Sequence, residues 1–314
     1  LSDARWALIE PTLTAWRAAR RGPGTVMRVH DLREIVNAIL YVCRTGIAWE
    51  YLPHDFPPCK TVYDYYAKWE ADGTTETLHD LLRDQVRVAK GRAAAPTAAI
   101  IDSQSVKTSC NVSESSQGID AGKKIKGRKR HIATDVLGLL LAVIVTAASV
   151  QDSAGGQQVL DHLAAAHPTV SAAWVDGGYN NTVIRHGAQR GIRVEVVKRP
   201  SAKGFHVLPR RWVVERSLGW LMQHRRLARD YEALPQRSRT MVHWAMTNIM
   251  SRTLTGESTQ TWRNDPPKAD ILAKLRSDAL LGLPNPPARQ GFPCPRCADA
   301  AVRPRIRGLR RRPG

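Results

Sequence analysis

The chain has 314 residues, 43% of them hydrophobic and 24% charged, which suits one or two globular domains with a real core and excludes a disordered or fibrous chain. Lys plus Arg is 47 against 28 Asp plus Glu, a formal charge of +19, which points to a polyanionic partner, nucleic acid before membrane. The longest strongly apolar run, Val136 to Val150, is too short to span a bilayer, and five scattered cysteines make no disulfide framework. The opening residues carry no cleavable-signal pattern, so the expectation is a cytoplasmic, nucleoid-associated protein with no membrane partner.

Residues 1–92 read as all-helical. Ser2 can cap a first helix through SDARWALIE. Asp31 can cap a second, whose Leu32, Ile35, Val36, Ile39, Leu40 and Cys43 form one apolar stripe that Gly46 ends. After Pro53, Pro57 and Pro58, Thr61 opens a third helix, and a fourth runs from about Thr75 to Lys90. Helix, break, helix is compatible with a helix-turn-helix, but residues 1–95 carry 13 basic against 12 acidic side chains, a near-neutral balance that argues against DNA reading.

Past Pro96 the pattern changes. TAAIIDSQSV reads as a buried strand, and the polar stretch from Ser109 to Gly127 as a mobile basic loop. RKRHIATDV and LLLAVIVTAA form a hairpin across a Leu-Gly turn, with Asp135 as its turn residue. Helix and strand then alternate: GGQQVLDHLAAAH, AAWVD, NNTVIRHGAQRG and IRVEVVKR, closed by a helix around Glu215. That is an α/β mixed sheet with helices over 96–257. Residues 258–314 hold nine prolines, 12 basic and 4 acidic side chains, and read as a largely disordered basic tail. Within it, Cys294 and Cys297 are only half of a zinc site.

Three acids stand out. Asp102 and Asp176 are placed at strand ends, and Gly177 and Gly178 give the second a sharp turn. Glu215 lies in an apolar helix one turn after Arg211. The bland reading of Glu215 is an ion pair with Arg211; the other is a ligand in an oxygen cluster for a hard divalent cation. Neighbouring strands would bring Asp102 and Asp176 together, but strand order is not written in the sequence. The run KKIKGRKRH carries Lys123, Lys124, Lys126, Arg128, Lys129 and Arg130, which reads as a phosphate-binding stretch rather than a solvated loop. Trp212 and Trp220 read as core.

In this order IIDSQSVKTS, DAGKKIKGRKRHIATDVLGLLLAV, AAWVDGGYNN and RRWVVERSLGWLMQHRRLARDYE resemble the landmarks of bacterial insertion-sequence DDE transposases, in the broad four-and-five grouping. LSDARWALIEPTL and the segment from Leu32 to Gly73 resemble their helical N-terminal module. The resemblance covers residues 1 to about 255. It implies an RNase H-like catalytic domain, a mixed five-stranded sheet flanked by helices, behind a small all-helical domain. It also implies Asp102, Asp176 and Glu215 as the DDE residues, binding two Mg²⁺ ions for which Mn²⁺ can substitute. The separations are 74 and 39 residues. The related signature has a tyrosine seven residues before the third acid, an arginine four before and a lysine seven after. Arg211 matches and is a candidate for DNA contact, whereas Leu208 and Met222 stand at the other two positions, leaving Arg225 or Arg226 to take over the phosphate contact of the missing lysine. The implied activity cleaves phosphodiester bonds at the ends of the element and transfers the 3′-hydroxyl ends into target DNA. Its partners are double-stranded DNA (terminal inverted repeats and target) and further copies in a homodimer or larger assembly. The rivals are an inactive DNA-binding remnant and a stand-alone metal nuclease of the same fold.

Overall fold

The structure is a computed structural model that describes residues 1–20, 30–197 and 209–258. The basic tail, its short helical run and its two cysteines fall outside the described residues, as does Leu208.

Four helices come first: α1 (Asp3–Ala19), α2 (Leu32–Thr45), α3 (Cys59–Ala71) and α4 (Thr74–Ala89). Both expected caps form. Ser2 Oγ accepts from the Arg5 amide and Asp31 Oδ1 from the Arg33 amide, each satisfying an orphan helix N–H. Gly46 ends α2 in the left-handed region at φ 78°. The stripe on α2 is buried at Leu32, Ile35, Val36, Ile39, Val42 and Cys43, with Leu40 at its margin. The third helix starts at Cys59, two residues before Thr61, because Pro58 already holds the extended geometry of an N-cap.

These helices close around one the sequence reading passed over, α8 (Pro235–Thr255). Met241, Val242, Trp244, Ala245, Met246 and Met250 are buried, and Trp69 of α3 packs on Trp244 with centroids 5.8 Å apart. Buried Thr240, His243, Thr247 and Ser251 alternate with the apolar groups and blur the amphipathic period of α8, a helix sunk into the core.

The sheet follows: β1 (Ala98–Lys107), β2 (Gly118–Asp120), β3 (Ile125–Thr134), β4 (Leu140–Ala147), β5 (Ala172–Val175) and β6 (Arg193–Val196). Its main order is β4-β3-β1-β5-β6, with three-residue β2 paired to the start of β3. β1, β3 and β4 pair antiparallel, whereas β5 and β6 continue parallel from β1. This is the mixed five-stranded RNase H-like sheet expected, with β2 as an addition. The stretch read as a mobile loop contains β2 and a 3₁₀ turn, Glu114–Ser116. Ser105 Oγ donates to Asp120 Oδ2 at 2.5 Å and ties it to β1.

Alternation along the strands splits the core. Ile100, Ile132, Leu140 and Val143 belong to the cluster shared with the N-terminal helices and α8. Ala99, Ile101, Ala133 and Leu141 face α5 (Asp152–Ala166) and α6 (Asn181–Gln189). At the hairpin, Asp135 Oδ1 accepts from the amides of Leu137 and Leu139 and Gly138 takes φ 86°. The other oxygen pairs with Arg87 of α4, so the turn residue also joins helical layer and sheet. No helix among the described residues is long and apolar enough to cross a membrane.

Candidate active site

Asp102 lies in the middle of β1, not at its end: the strand runs five residues further and Asp102 pairs with Ile132 of β3. Asp176 immediately follows β5. The parallel pairing matches Ala98 with Ala172, Ala99 with Ala173 and Ile100 with Trp174. Continued at the same offset, this register sets Asp176 level with Asp102. Both acids follow by two residues a member of the matched pair Ile100 and Trp174, so they share that pair's face of the sheet.

That face carries α7 (Pro209–Met222), the helix of Glu215. The hairpin turn holds α7 in place: Ser217 Oγ donates to the Gly138 carbonyl at 2.7 Å and Arg216 Nη2 to the Leu137 carbonyl at 2.8 Å. A Cβ on Gly138 would stand 2.6 Å from Ser217 Oγ, so glycine here serves both the turn and the helix contact. Val214, Ser217 and Leu221 are buried, whereas Glu215 is 45% exposed and Trp212 also 45%. Glu215 is therefore wetter than its apolar surroundings suggest, and Trp212 is not core. Trp220 is half-buried beneath the Arg216 guanidinium.

Arg211 joins two of the acids. Its Nη2 lies 3.3 Å from Glu215 Oε1 and 3.6 Å from Asp176 Oδ2. The ion-pair reading of Glu215 is thus present in the structure, and it takes in Asp176. Burial pushes the Asp102 carboxyl up to about 6, helped by the negative charge of Asp176 and opposed by the Ser103 amide, Arg211 and Lys123. Among the described residues, no three His, Cys, Asp or Glu side chains stand close enough to hold a metal ion as placed. The donor set nonetheless suits a hard cation: three carboxylates on adjoining elements, one desolvated and two sharing a guanidinium.

The basic candidates divide. Lys123 and Lys124 are exposed, and Lys123 Nζ donates to the Ser103 carbonyl beside Asp102. Lys126 is exposed and pairs with Glu114 at 2.9 Å; Arg225 is exposed. Four others are corrected from phosphate contacts to internal ties. Arg128 pairs with Asp230 and donates to the carbonyls of Glu232 and Ala233. Lys129 sits 2.9 Å from Asp152 and 3.3 Å from Asp120. Arg130 donates to the Leu227 carbonyl, and Arg226 pairs with Glu232. All four are buried: residues 227–233 cover Arg128 and Arg130 on one face of β3, Asp120 and Asp152 enclose Lys129 on the other, and Arg226 is held between Glu232 and the Ile47 carbonyl.

Sequence reasoning missed the groups behind the acids. Asp120 and Asp152 flank Lys129 and line a cavity of about 380 Å³ with Gly178 and Asn180. Tyr179 is buried with its hydroxyl unpaired; burial pushes that hydroxyl well above its usual range, with the charges of Asp102, Asp152 and Asp176 adding. The position of Tyr179 directly after Asp176-Gly-Gly was the available signal.

Known proteins bear on this geometry. Residues 93–250 match the family described as transposase DDE domain, and residues 1–79 match a family described as transposase of the IS4/5 family. A transposase for insertion sequence element IS402 of Burkholderia cepacia is 34% identical over 114 residues, covering 34% of this chain and 54% of that protein. An insertion element IS402 protein of 16.2 kDa from the same organism is 30% identical over 142 residues, 43% of this chain and 84% of that protein. The chain thus spans about half the length of the first of these relatives.

Proposed function

The chain belongs to the DDE transposase family, and from that premise we propose that it cleaves phosphodiester bonds at the ends of an insertion sequence and joins the freed 3′-hydroxyl ends to target DNA. The observation that carries this reading is the convergence on one sheet face: Asp102 and Asp176 level across β1 and β5, with Glu215 linked to Asp176 through Arg211.

Asp102, Asp176 and Glu215 would hold two Mg²⁺ ions, for which Mn²⁺ can substitute. Bound there, such ions activate the attacking oxygen and stabilise the leaving oxygen of an in-line displacement. The chain's own groups do the rest. β1 holds Asp102 within the sheet, Asp176 follows β5 directly, and the Ser217 and Arg216 bonds fix the helix of the third acid. Burial of Asp102 keeps water off one carboxylate and raises its appetite for a cation. Exposed Lys123, Lys124, Lys126 and Arg225 contact the DNA backbone, which positions the duplex without reading its sequence. Residues 1–92 form the helical module, 96–257 the catalytic domain and 258–314 a basic extension. The partner is double-stranded DNA, terminal repeats and target alike, and the assembly on DNA is a dimer or larger, in the cytoplasm at the nucleoid.

The test is incubation of the full chain with Mg²⁺ and duplexes carrying the flanking ends of its element. Joined products are expected. Cleavage without joining would make the protein a nuclease instead, and binding without cleavage a remnant that only occupies DNA.

A further inference from the structure

The cation now lying between two of the acids is a guanidinium. Arg211 is 14% exposed and spans 3.3 Å to Glu215 and 3.6 Å to Asp176, whose side chains are 45% and 30% exposed. A divalent ion bound to both acids needs the carboxylate edges that Arg211 faces. Guanidinium does not give up its proton, so it yields only by moving. Its long side chain roots one turn before Glu215, on a helix that stays anchored through Ser217 and Arg216. Movement of one side chain, without movement of α7, is therefore sufficient.

Resting on the reading of Asp102, Asp176 and Glu215 as metal ligands, we propose that Arg211 is a positioning residue that serves as their resident counter-ion and couples metal binding to DNA binding. Before metal enters, the guanidinium relieves the repulsion between Asp176 and Glu215. When a divalent ion takes that role, Arg211 is released toward the DNA, where a phosphate can accept two parallel N–H bonds from the guanidinium that now spans both acids through Nη2 alone. Metal in the site then favours DNA, and by linkage DNA favours metal by the same factor. An unloaded site stays neutralised and an ion is retained best when substrate is present.

The experiment uses the full chain and Mn²⁺. Free Mn²⁺ is followed by electron paramagnetic resonance during titration of wild type, R211Q and D176N. In parallel, phenylglyoxal modification of Arg211 in the wild type is read by peptide mass spectrometry, with exposed Arg92, which is assigned no DNA contact, as internal reference. The expected result is Mn²⁺ binding about 3–10-fold tighter in R211Q than in wild type, the scale of a partly exposed ion pair removed. D176N weakens it at least about tenfold, the loss of a charged ligand. Modification of Arg211 rises severalfold with Mn²⁺ and falls again when duplex DNA is added. Unchanged modification while D176N-sensitive Mn²⁺ binding proceeds would overturn the counter-ion role and leave the acid triad standing. Mn²⁺ binding indifferent to D176N would instead sink the metal reading itself, and this proposal with it. The footprint needs no variant, so a folding defect in R211Q leaves the test intact.

Discussion

The guanidinium of Arg128 and the carboxylate of Asp230 lie 3.2 Å apart with 0% and 1% of their side chains exposed. The pair fastens β3 to the segment between α7 and α8, and the further bonds of Arg128 to the Glu232, Ala233 and Ser116 carbonyls and to Ser116 Oγ complete its satisfaction. Removing either partner alone strands a charge in the interior. Arg128→Ala or Asp230→Ala is expected to cost about 3–5 kcal/mol, read as a shift in the denaturant midpoint.

Close packing between sheet and helix gives a second expectation. A Cβ on Gly155 of α5 would stand 2.1 Å from the His131 ring, which is buried and bonded through Nε2 to Thr146. Gly155→Ala should therefore lower stability by about 1–3 kcal/mol through overpacking, although alanine is the better helix former. Thermal melting checks it, and unchanged stability would mean that α5 shifts freely.

Both glycine and buried arginine bear on how much could be read in advance. Caps at Ser2 and Asp31, the stripe on α2 and the turn at Asp135 were legible because each is a local pattern of a few residues. The apolar run of β1 and the strand-like run of β3 were legible for the same reason. The register that levels Asp176 with Asp102 was not, since pairing over 74 residues is decided by packing. The family resemblance, rather than periodicity, was what joined the acids. Arg128, Lys129 and Arg130 misled because a basic run looks alike whether or not its two faces are covered; only the packing of residues 227–233 on one face and of Asp120 and Asp152 on the other buries it. α8 was missed because its buried positions mix polar Thr240, His243, Thr247 and Ser251 with apolar groups and so carry no clear period. The exposure of Trp212 and Glu215 followed from which side of α7 met β1, again a tertiary fact.

Buried histidines set a pH dependence. Burial brings His131 and His224 down to about 4 from 6.5, and for His224 the charges of Arg44 and Arg252 act in the same direction. Backbone bonds at Trp220 and Leu221 oppose it for His224, and Asp152 opposes it for His131. The unfolded chain then binds more protons between these values, so stability is full above about 6.5 and falls as pH drops toward 4. Each histidine contributes on the order of 3 kcal/mol to that loss. Asp102, raised to about 6, acts oppositely and gains stability as pH falls from 6 toward 3.8, as does Glu232, which burial also raises; but His167 and His243, likewise lowered by burial, act with His131 and His224. Unfolding free energy measured from pH 7 to 4.5 should decline, and His224→Gln should flatten the slope.

Exposure separates the basic residues in binding experiments. Lys124→Ala should reduce the dependence of log affinity on log salt by about 0.9 for each lost phosphate contact. Loss of Lys123, Lys126 or Arg225 should act alike if each meets a phosphate. Arg130→Met should leave the salt slope unchanged in the folded fraction, because Arg130 is buried against the Leu227 carbonyl. Fluorescence anisotropy over a salt series reads both.

The central claim is that Asp102, Asp176 and Glu215 form one metal-dependent catalytic set. The most direct measurement is Mg²⁺-dependent cleavage of DNA bearing the element's own ends, comparing wild type with Asp102→Asn. The account predicts cleavage by the wild type and a loss of at least about a hundredfold in the variant, the scale of removing one electrostatic element of a catalytic site, with DNA affinity retained. Equal cleavage by both proteins, or binding by both without cleavage by either, would contradict it.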